Sequence, residues 1–226
     1  MMFGLPRHGG DHGRVAVVGL GRFGTALART LTERGIEVLA MDVDPKQVQA
    51  VADVLTHAVV ADSTDDEALR QAGVADYTHA VVAIGSDIEA SILTTTLLAE
   101  FGIPDIWAKA VTATHGRILD RVGATHVVFP EAEMGRRVGN MVTASLLDYS
   151  QVDDELALAK THPPGRLLGT PIDTVALEDR EGVRLVALKR DSGGYAAPAE
   201  GTVLAPGDVL VVCGPPDRVR DFSTPR

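Results

Sequence analysis

At 226 residues the chain has room for one large domain or two modest ones, and its 45% hydrophobic and 23% charged residues suit a globular protein that buries a full core. A net charge of −10 and an aromatic content of 4% disfavour a nucleic-acid-binding surface, which calls for a basic face and stacking rings. No run of about 18 apolar residues occurs, so no membrane-spanning helix is expected. The first thirteen residues, MMFGLPRHGGDHG, lack the apolar core of a signal peptide and read as a disordered leader in a soluble, intracellular chain. His8 and His12 in it are metal-binding candidates by residue type alone, against the simpler reading of a floppy tail.

The first element is the strand Val15-Ala16-Val17-Val18, which runs into glycines at 19, 21 and 24 and then into Thr25-Ala26-Leu27-Ala28-Arg29-Thr30-Leu31, helical in character. This is G-x-G-x-x-G between a strand and a helix, the setting the motif requires. Gly19 permits the tight turn, Gly21 leaves room for a phosphate, and Gly24 lets helix pack on strand. The free amides at the helix start then favour an anion. The next strand, Glu37 to Met41, ends at Asp42, where an acid can bond ribose hydroxyls and disfavours a 2′-phosphate, hence NADP.

Asp44 and Pro45 open a helix over 45–52, and His57 to Ala61 forms a third strand ending in Asp62-Ser63-Thr64-Asp65. Those small polar residues lie where an open α/β sheet binds ligands, although capping the next helix, 66–72, explains them equally well. Strand four spans Thr78 to Gly85, a long helix runs from Ile88 to Phe101, strand five is Ile106 to Ala110, a helix spans His115 to Val122, and strand six is Thr125 to Phe129, closed by Pro130 and Glu131. Six strands alternating with helices give a doubly wound, Rossmann-like parallel α/β sheet, and right-handed crossovers place the ends of strands one to four on one rim.

From Glu133 to about Tyr149 apolar residues recur three or four apart (Met134, Val138, Met141, Val142, Leu146), which reads as a helix crossing out of the first domain. A small α+β domain then follows, with strands near 156–159, 183–189 and 196–198, turns at His162-Pro163-Pro164-Gly165 and Gly193-Gly194, and a last strand at Val209 to Cys213. The lone Cys213 has no disulfide partner and reads as a buried packing residue. The expected layout is a leader at 1–13, the Rossmann domain at 14–133, a crossover helix and linker at 134–152 and the small domain at 153–226.

GLGRFG, Asp42, VVADSTDDEALRQAGV (59–74), AVVAIGSDIEASILTTTLLAE (80–100), IWAKA (106–110), HVVFPEAEMGRR (126–137), LVALKRD and LAPGDVLVVCG occur in this order. Together they resemble the RCK (regulator of potassium conductance) proteins, the gating subunits of Ktr and Trk potassium uptake systems, over about residues 14 to 222. The resemblance implies an N-terminal domain that binds ATP or ADP, and a homo-oligomer built from dimers into an octameric ring. That ring would lie against the inner face of the membrane under a transporter subunit. It places Gly19, Gly21, Arg22, Phe23 and Gly24 at the phosphates, with Arg22 reaching the terminal one. It places Asp42 and Val43 at the ribose, and Asp62, Ser63 and Thr64 with Ala83, Ile84 and Gly85 around adenine and sugar. Lys109 would balance phosphate charge, and Glu131 would hold a divalent or monovalent cation near the phosphates across a subunit interface.

The C-terminal domain of some relatives binds cyclic di-AMP. Here Glu178 and Asp179 occupy the corresponding segment and would repel that anionic ligand. The fingerprint alone also allows an NAD(H)-dependent oxidoreductase, yet neither a large substrate domain nor an evident proton-transfer set accompanies it. A nucleotide sensor without a membrane partner is the third reading. The motifs leave ATP/ADP against NAD(H) open.

Overall fold

A computed structural model describes residues 14–55, 57–144, 146–190 and 193–224; the expected leader, with His8 and His12, lies outside them. The chain divides into two compact units between Glu131 and Ala132.

The first unit carries one parallel sheet of six strands: β1 (Arg14–Val18), β2 (Glu37–Asp42), β3 (His57–Val60), β4 (His79–Val82), β5 (Asp105–Lys109) and β6 (His126–Val128), in the order β3-β2-β1-β4-β5-β6. The central strands are apolar on both faces, as a sheet covered by helices on each side requires. Successive residues alternate between the two faces. Val15 and Val17 pack with Ala28 and Val48, from α1 (Arg22–Glu33) and α2 (Pro45–Gln49). Ala16 and Val18 pack with Leu69, Leu98 and Leu119, from α3 (Asp66–Gln71), α4 (Ile88–Glu100) and α5 (Ala113–Arg121). The chain therefore winds outward from β1 on one face and from β4 on the other. Where the two directions part, between the carboxyl ends of β1 and β4, a crevice opens.

Local chemistry sets the helix starts. The Asp44 carboxylate accepts from the Lys46 amide, Asp65 from Glu67, Asp87 from Ala90, and the Thr112 hydroxyl from His115. Helix α1 differs: its cap is Gly21, which has no side chain to satisfy the first-turn amides, and no acidic residue lies in that turn.

The second unit holds an antiparallel sheet ordered β10-β9-β11-β8-β7, formed by β7 (Leu146–Gln151), β8 (Ala157–Thr161), β9 (Arg184–Lys189), β10 (Tyr195–Ala196) and β11 (Val209–Gly214). With it pack α7 (Thr174–Glu181) and α8 (Pro216–Ser223), which contribute Leu177, Val219 and Phe222 to one buried cluster. The Arg166 guanidinium makes a paired contact with Glu181, at 3.1 and 2.8 Å, and lies over the Phe222 ring.

Three expectations change. The helix α6 (Pro130–Thr143) stops short of Tyr149, because Leu146 to Gln151 pair with β8 as an edge strand. Pro130 opens that helix rather than closing β6, its fixed φ and missing N–H suiting a first turn. Cys213 on β11 is partly exposed rather than fully buried.

Candidate nucleotide-binding crevice

The rim of the crevice is built by backbone. The Gly19 amide donates to the Met41 carbonyl at 2.8 Å and the Ala83 amide to Val18 at 2.7 Å, so the β2-β1-β4 ladder runs up to the turn. Gly19 has φ +95°, and a side chain there would also press within 3.1 Å of Ala83 and Ile84. A methyl on Gly24 would run into the Gly19 carbonyl oxygen, which is how helix α1 comes so close to the strand. Around Gly21 nothing lies within 4 Å of the place a Cβ would take. The open space is at the middle glycine, over the amino end of a twelve-residue helix whose dipole favours an anion.

Asp42 braces this turn. Its Oδ2 accepts from the Leu20 amide at 2.6 Å and its Oδ1 from Asp44 at 2.9 Å, each oxygen keeping a lone pair for a further donor. The same side chain thus fixes the glycine loop and offers acceptors beside it. That bracing role was not apparent from sequence. Val43 next to it is 68% exposed, free to meet a ligand's apolar surface.

On the other side of the crevice, strand β5 delivers Lys109, whose side chain is only 11% exposed and whose Nζ is 2.6 Å from Glu131 Oε1. A Cβ on Gly85 would stand 2.8 Å from that ammonium, so the bare glycine makes its berth. The hydrogen bond from Lys109 holds the Glu131 carboxyl below its ordinary range, helped by a backbone amide, the ammonium charge and the charge of Arg22. Lys109 and Glu131 thereby form an ion pair between β5 and the start of α6, with the charge of Arg22 on α1 adding a smaller effect on the carboxylate.

The remaining expected residues distribute unevenly. Ala83 and Ile84 back the Gly19 turn. Asp62 turns on its own loop, accepting from the Thr64 amide and hydroxyl at 2.9 and 2.7 Å, which hold its carboxyl below its ordinary range. Ser63 faces away: it is buried, its hydroxyl 2.7 Å from that of Thr94 on α4. Phe23 packs against the core on the α1 and α2 face. Glu131 brings no second carboxylate with it; among the described residues no group of three or more His, Cys, Asp or Glu side chains is placed to hold a metal ion. The cation expected at Glu131 belongs to a subunit interface, of which one chain supplies one side of the ligand set.

Two features escaped sequence reading. At the opposite, amino end of the sheet Asp105 lies between two histidines, 3.6 Å from His79 and 3.2 Å from His126, and Trp107 stacks on His126 with centroids 4.1 Å apart. The signal was a repeated Thr-His dipeptide, 78–79 and 125–126, at the starts of β4 and β6. The second is His115, 2% exposed in the first turn of α5. The Val111 amide donates to its Nδ1 at 3.4 Å, so the proton is on Nε2, which is buried without a partner among the described residues.

The fold and crevice define a two-domain chain whose first domain is of the nucleotide-binding Rossmann class. Residues 15–130 match the family model of the TrkA-N domain and residues 156–224 that of the TrkA-C domain. Ktr system potassium uptake protein C of Bacillus subtilis (strain 168) is 38% identical over 200 residues, covering 88% of this chain and 90% of that protein. Ktr system potassium uptake protein A of Vibrio alginolyticus is 36% identical over 205 residues, covering 90% and 93%. Among solved structures, the GsuK channel bound to NAD aligns with a TM-score of 0.61 at 20% identity, covering 95% of this chain and 39% of the channel chain; that likeness is one of fold. The chain belongs to the TrkA/Ktr family of potassium uptake proteins, the RCK-type regulatory subunits.

Proposed function

We propose that this chain is the nucleotide-sensing regulatory subunit of a membrane potassium transporter, and that ATP and ADP at the β1–β4 crevice set two states of a homo-oligomeric, octameric ring. The observation that carries the reading is the crevice itself. It offers open space at Gly21 over an uncapped helix start, with Arg22 in the first turn of that helix and the nearly buried ammonium of Lys109 over Gly85. The near full-length similarity to Ktr uptake proteins supports the transporter partner and a place on the inner face of the membrane. Among the described residues no helix is long and apolar enough to cross a bilayer.

In this reading the α1 amides and Gly21 take the diphosphate, Asp42 accepts from the ribose hydroxyls, and Val43 with the Ala83–Gly85 turn flanks the adenosine. Asp62 and Thr64 line the same rim, with Ser63 behind them. Arg22 offers bidentate donors to the γ-phosphate of ATP, which ADP lacks. A ligand shifts a two-state ring only by the difference in its affinity for the two states, and Arg22 supplies that difference. No catalytic role is assigned. NAD(H) as the resident nucleotide is the second reading, favoured by the NAD-bound GsuK channel.

The test is light scattering and small-angle scattering of the purified chain with saturating ATP, ADP, NAD or NADH. Octamers whose scattering profile differs between ATP and ADP are expected. A particle that responds to neither, or to NADH alone, overturns the ATP/ADP reading.

A further inference from the structure

We propose that His115 is a positioning residue for nucleotide binding: its buried neutral ring holds the turn after β5 against the crevice, and acid that charges the ring loosens the nucleotide. This rests on the nucleotide reading above and adds a regulation of that same site.

The turn is Ala110 to Thr112, between β5 and α5. Ala110 still belongs to the sheet, its amide donating to the Val128 carbonyl at 2.9 Å. Val111 is the first residue past that ladder, and its amide finds an acceptor in His115 Nδ1, at 3.4 Å. The His115 backbone is tied back as well, its amide donating to the Thr112 hydroxyl at 3.1 Å. The first turn of α5 is itself seated closely on the end of β6, where a Cβ on Gly116 would meet the Phe129 ring at 2.6 Å. Outward, the turn walls the crevice. A Val111 methyl lies 3.4 Å from the place a Gly85 Cβ would take, beside the Lys109 ammonium at 2.8 Å. His115 therefore acts through Val111 on the Gly85 side of the crevice.

The bond exists in one charge state only. A neutral imidazole accepts at Nδ1, whereas a charged one donates at both nitrogens and turns a proton on the Val111 N–H. The ring is 2% exposed and its Nε2 has no partner among the described residues, so a charge there is accommodated only by moving ring or turn. Burial alone lowers its affinity for a proton. Of the charged side chains on the elements around it, Asp87 and Glu89 at the start of α4, Lys109 on β5, Arg117 on α5 and Glu131 after β6, none contributes to that shift. At neutral pH the ring is uncharged and the turn held. As pH falls, the share of chains with a neutral ring falls, and the apparent nucleotide affinity falls in proportion.

Calorimetric titration of the full chain with ATP and ADP, from pH 7.5 to 5.5, tests this against two variants. In His115→Asn the side-chain oxygen stands where Nδ1 does and does not titrate. Over that range the wild-type chain should lose about two- to tenfold more affinity than His115→Asn, the upper bound being a ring of unshifted pKa about 6.5. His115→Leu, with no acceptor for Val111, should bind about two- to tenfold more weakly already at pH 7.5, the net worth of one hydrogen bond, and His115→Asn should recover most of that loss. The comparison cancels the titration of the phosphates and of the other histidines. Parallel pH profiles in wild type and His115→Asn overturn the proposal, and so does wild-type affinity in His115→Leu. The wild-type chain alone gives a second reading, free of any variant that fails to fold. By reciprocity, saturating ADP should lower the midpoint at which the His115 ring titrates, followed by its proton resonances in histidine-labelled chain, and a midpoint that ADP leaves in place overturns the proposal. If the wild-type chain binds neither nucleotide at pH 7.5, the nucleotide reading falls and this proposal with it; binding without the pH difference sinks the proposal alone.

Discussion

Gly21 and Gly24 stand three residues apart in one motif, yet the structure assigns them opposite liabilities. At Gly24 an added methyl meets the Gly19 carbonyl oxygen, a backbone atom in a turn already pinned by the Asp42–Leu20 hydrogen bond. Neither side can yield without moving helix α1 off the sheet. Overpacking of this kind costs about 1–3 kcal/mol or more, offset by about 1 kcal/mol gained when alanine replaces a helical glycine. With the added methyl far inside van der Waals contact of a backbone oxygen, the upper end of that cost applies, so Gly24→Ala should lose about 2 kcal/mol net, near 8 °C in midpoint at ~4 °C per kcal/mol for a unit of this size. At Gly21 the backbone has φ −64°, open to any residue, and nothing lies within 4 Å. A small capping loss and a small gain from a stiffer unfolded chain nearly cancel there, so Gly21→Ala should keep its stability to within about 0.5 kcal/mol. Its methyl should instead obstruct the phosphates and weaken nucleotide binding at least tenfold. Trp107, the one tryptophan of the chain, belongs to the first unit, so its fluorescence during thermal unfolding reports that unit. A Gly24→Ala protein as stable as wild type would refute the close-approach argument. A Gly21→Ala protein that binds nucleotide normally would refute the placement of the phosphates.

Burial lowers the affinity of His115 for a proton, and its Nε2 has nowhere to place a charge. The unfolded chain therefore binds the proton more readily than the folded one. The stability contributed by neutral His115 is fully present above its unfolded value of about 6.5 and is lost as pH falls through the lower folded value. Urea unfolding from pH 7.5 to 5, followed by Trp107 fluorescence, should show a shallower acid decline in His115→Leu; an unchanged slope would count against the buried neutral ring. Because the Ser63 hydroxyl is committed to Thr94, Ser63→Ala should lower stability by about 1 kcal/mol while nucleotide affinity stays within twofold. A large affinity loss without a stability loss would return Ser63 to the ligand.

The Rossmann domain was legible because its signals are local. Strand runs apolar on both faces, capping aspartates and the glycine spacing each fix a short segment, and the crossover rule fixes the order. Asp42, Lys109 and Glu131 were singled out by resemblance, but their pairings were not legible. The bond from Leu20 to Asp42, and that between Lys109 and Glu131, join residues of separate elements that only the sheet brings together. The bond from Ser63 to Thr94 was illegible for a related reason: which way a loop residue turns depends on the helix behind it. The end of α6 failed at a true ambiguity. Leu146 continues the three- and four-residue spacing, and only pairing with β8 makes it a strand. Helix α8 was missed although its signals were present, with Pro216 in the first turn and Val219 and Phe222 three apart on one buried face.

The central claim is that the crevice tells ATP from ADP through the Arg22 guanidinium. The most direct measurement is isothermal titration of the nucleotide-free chain with ATP and ADP, repeated on Arg22→Ala. The account predicts that both ligands bind the wild-type chain, that ATP loses about tenfold in the variant, the worth of one charge-assisted contact, and that ADP loses clearly less. Equal losses for the two nucleotides, or binding of NADH alone with no dependence on Arg22, would contradict it.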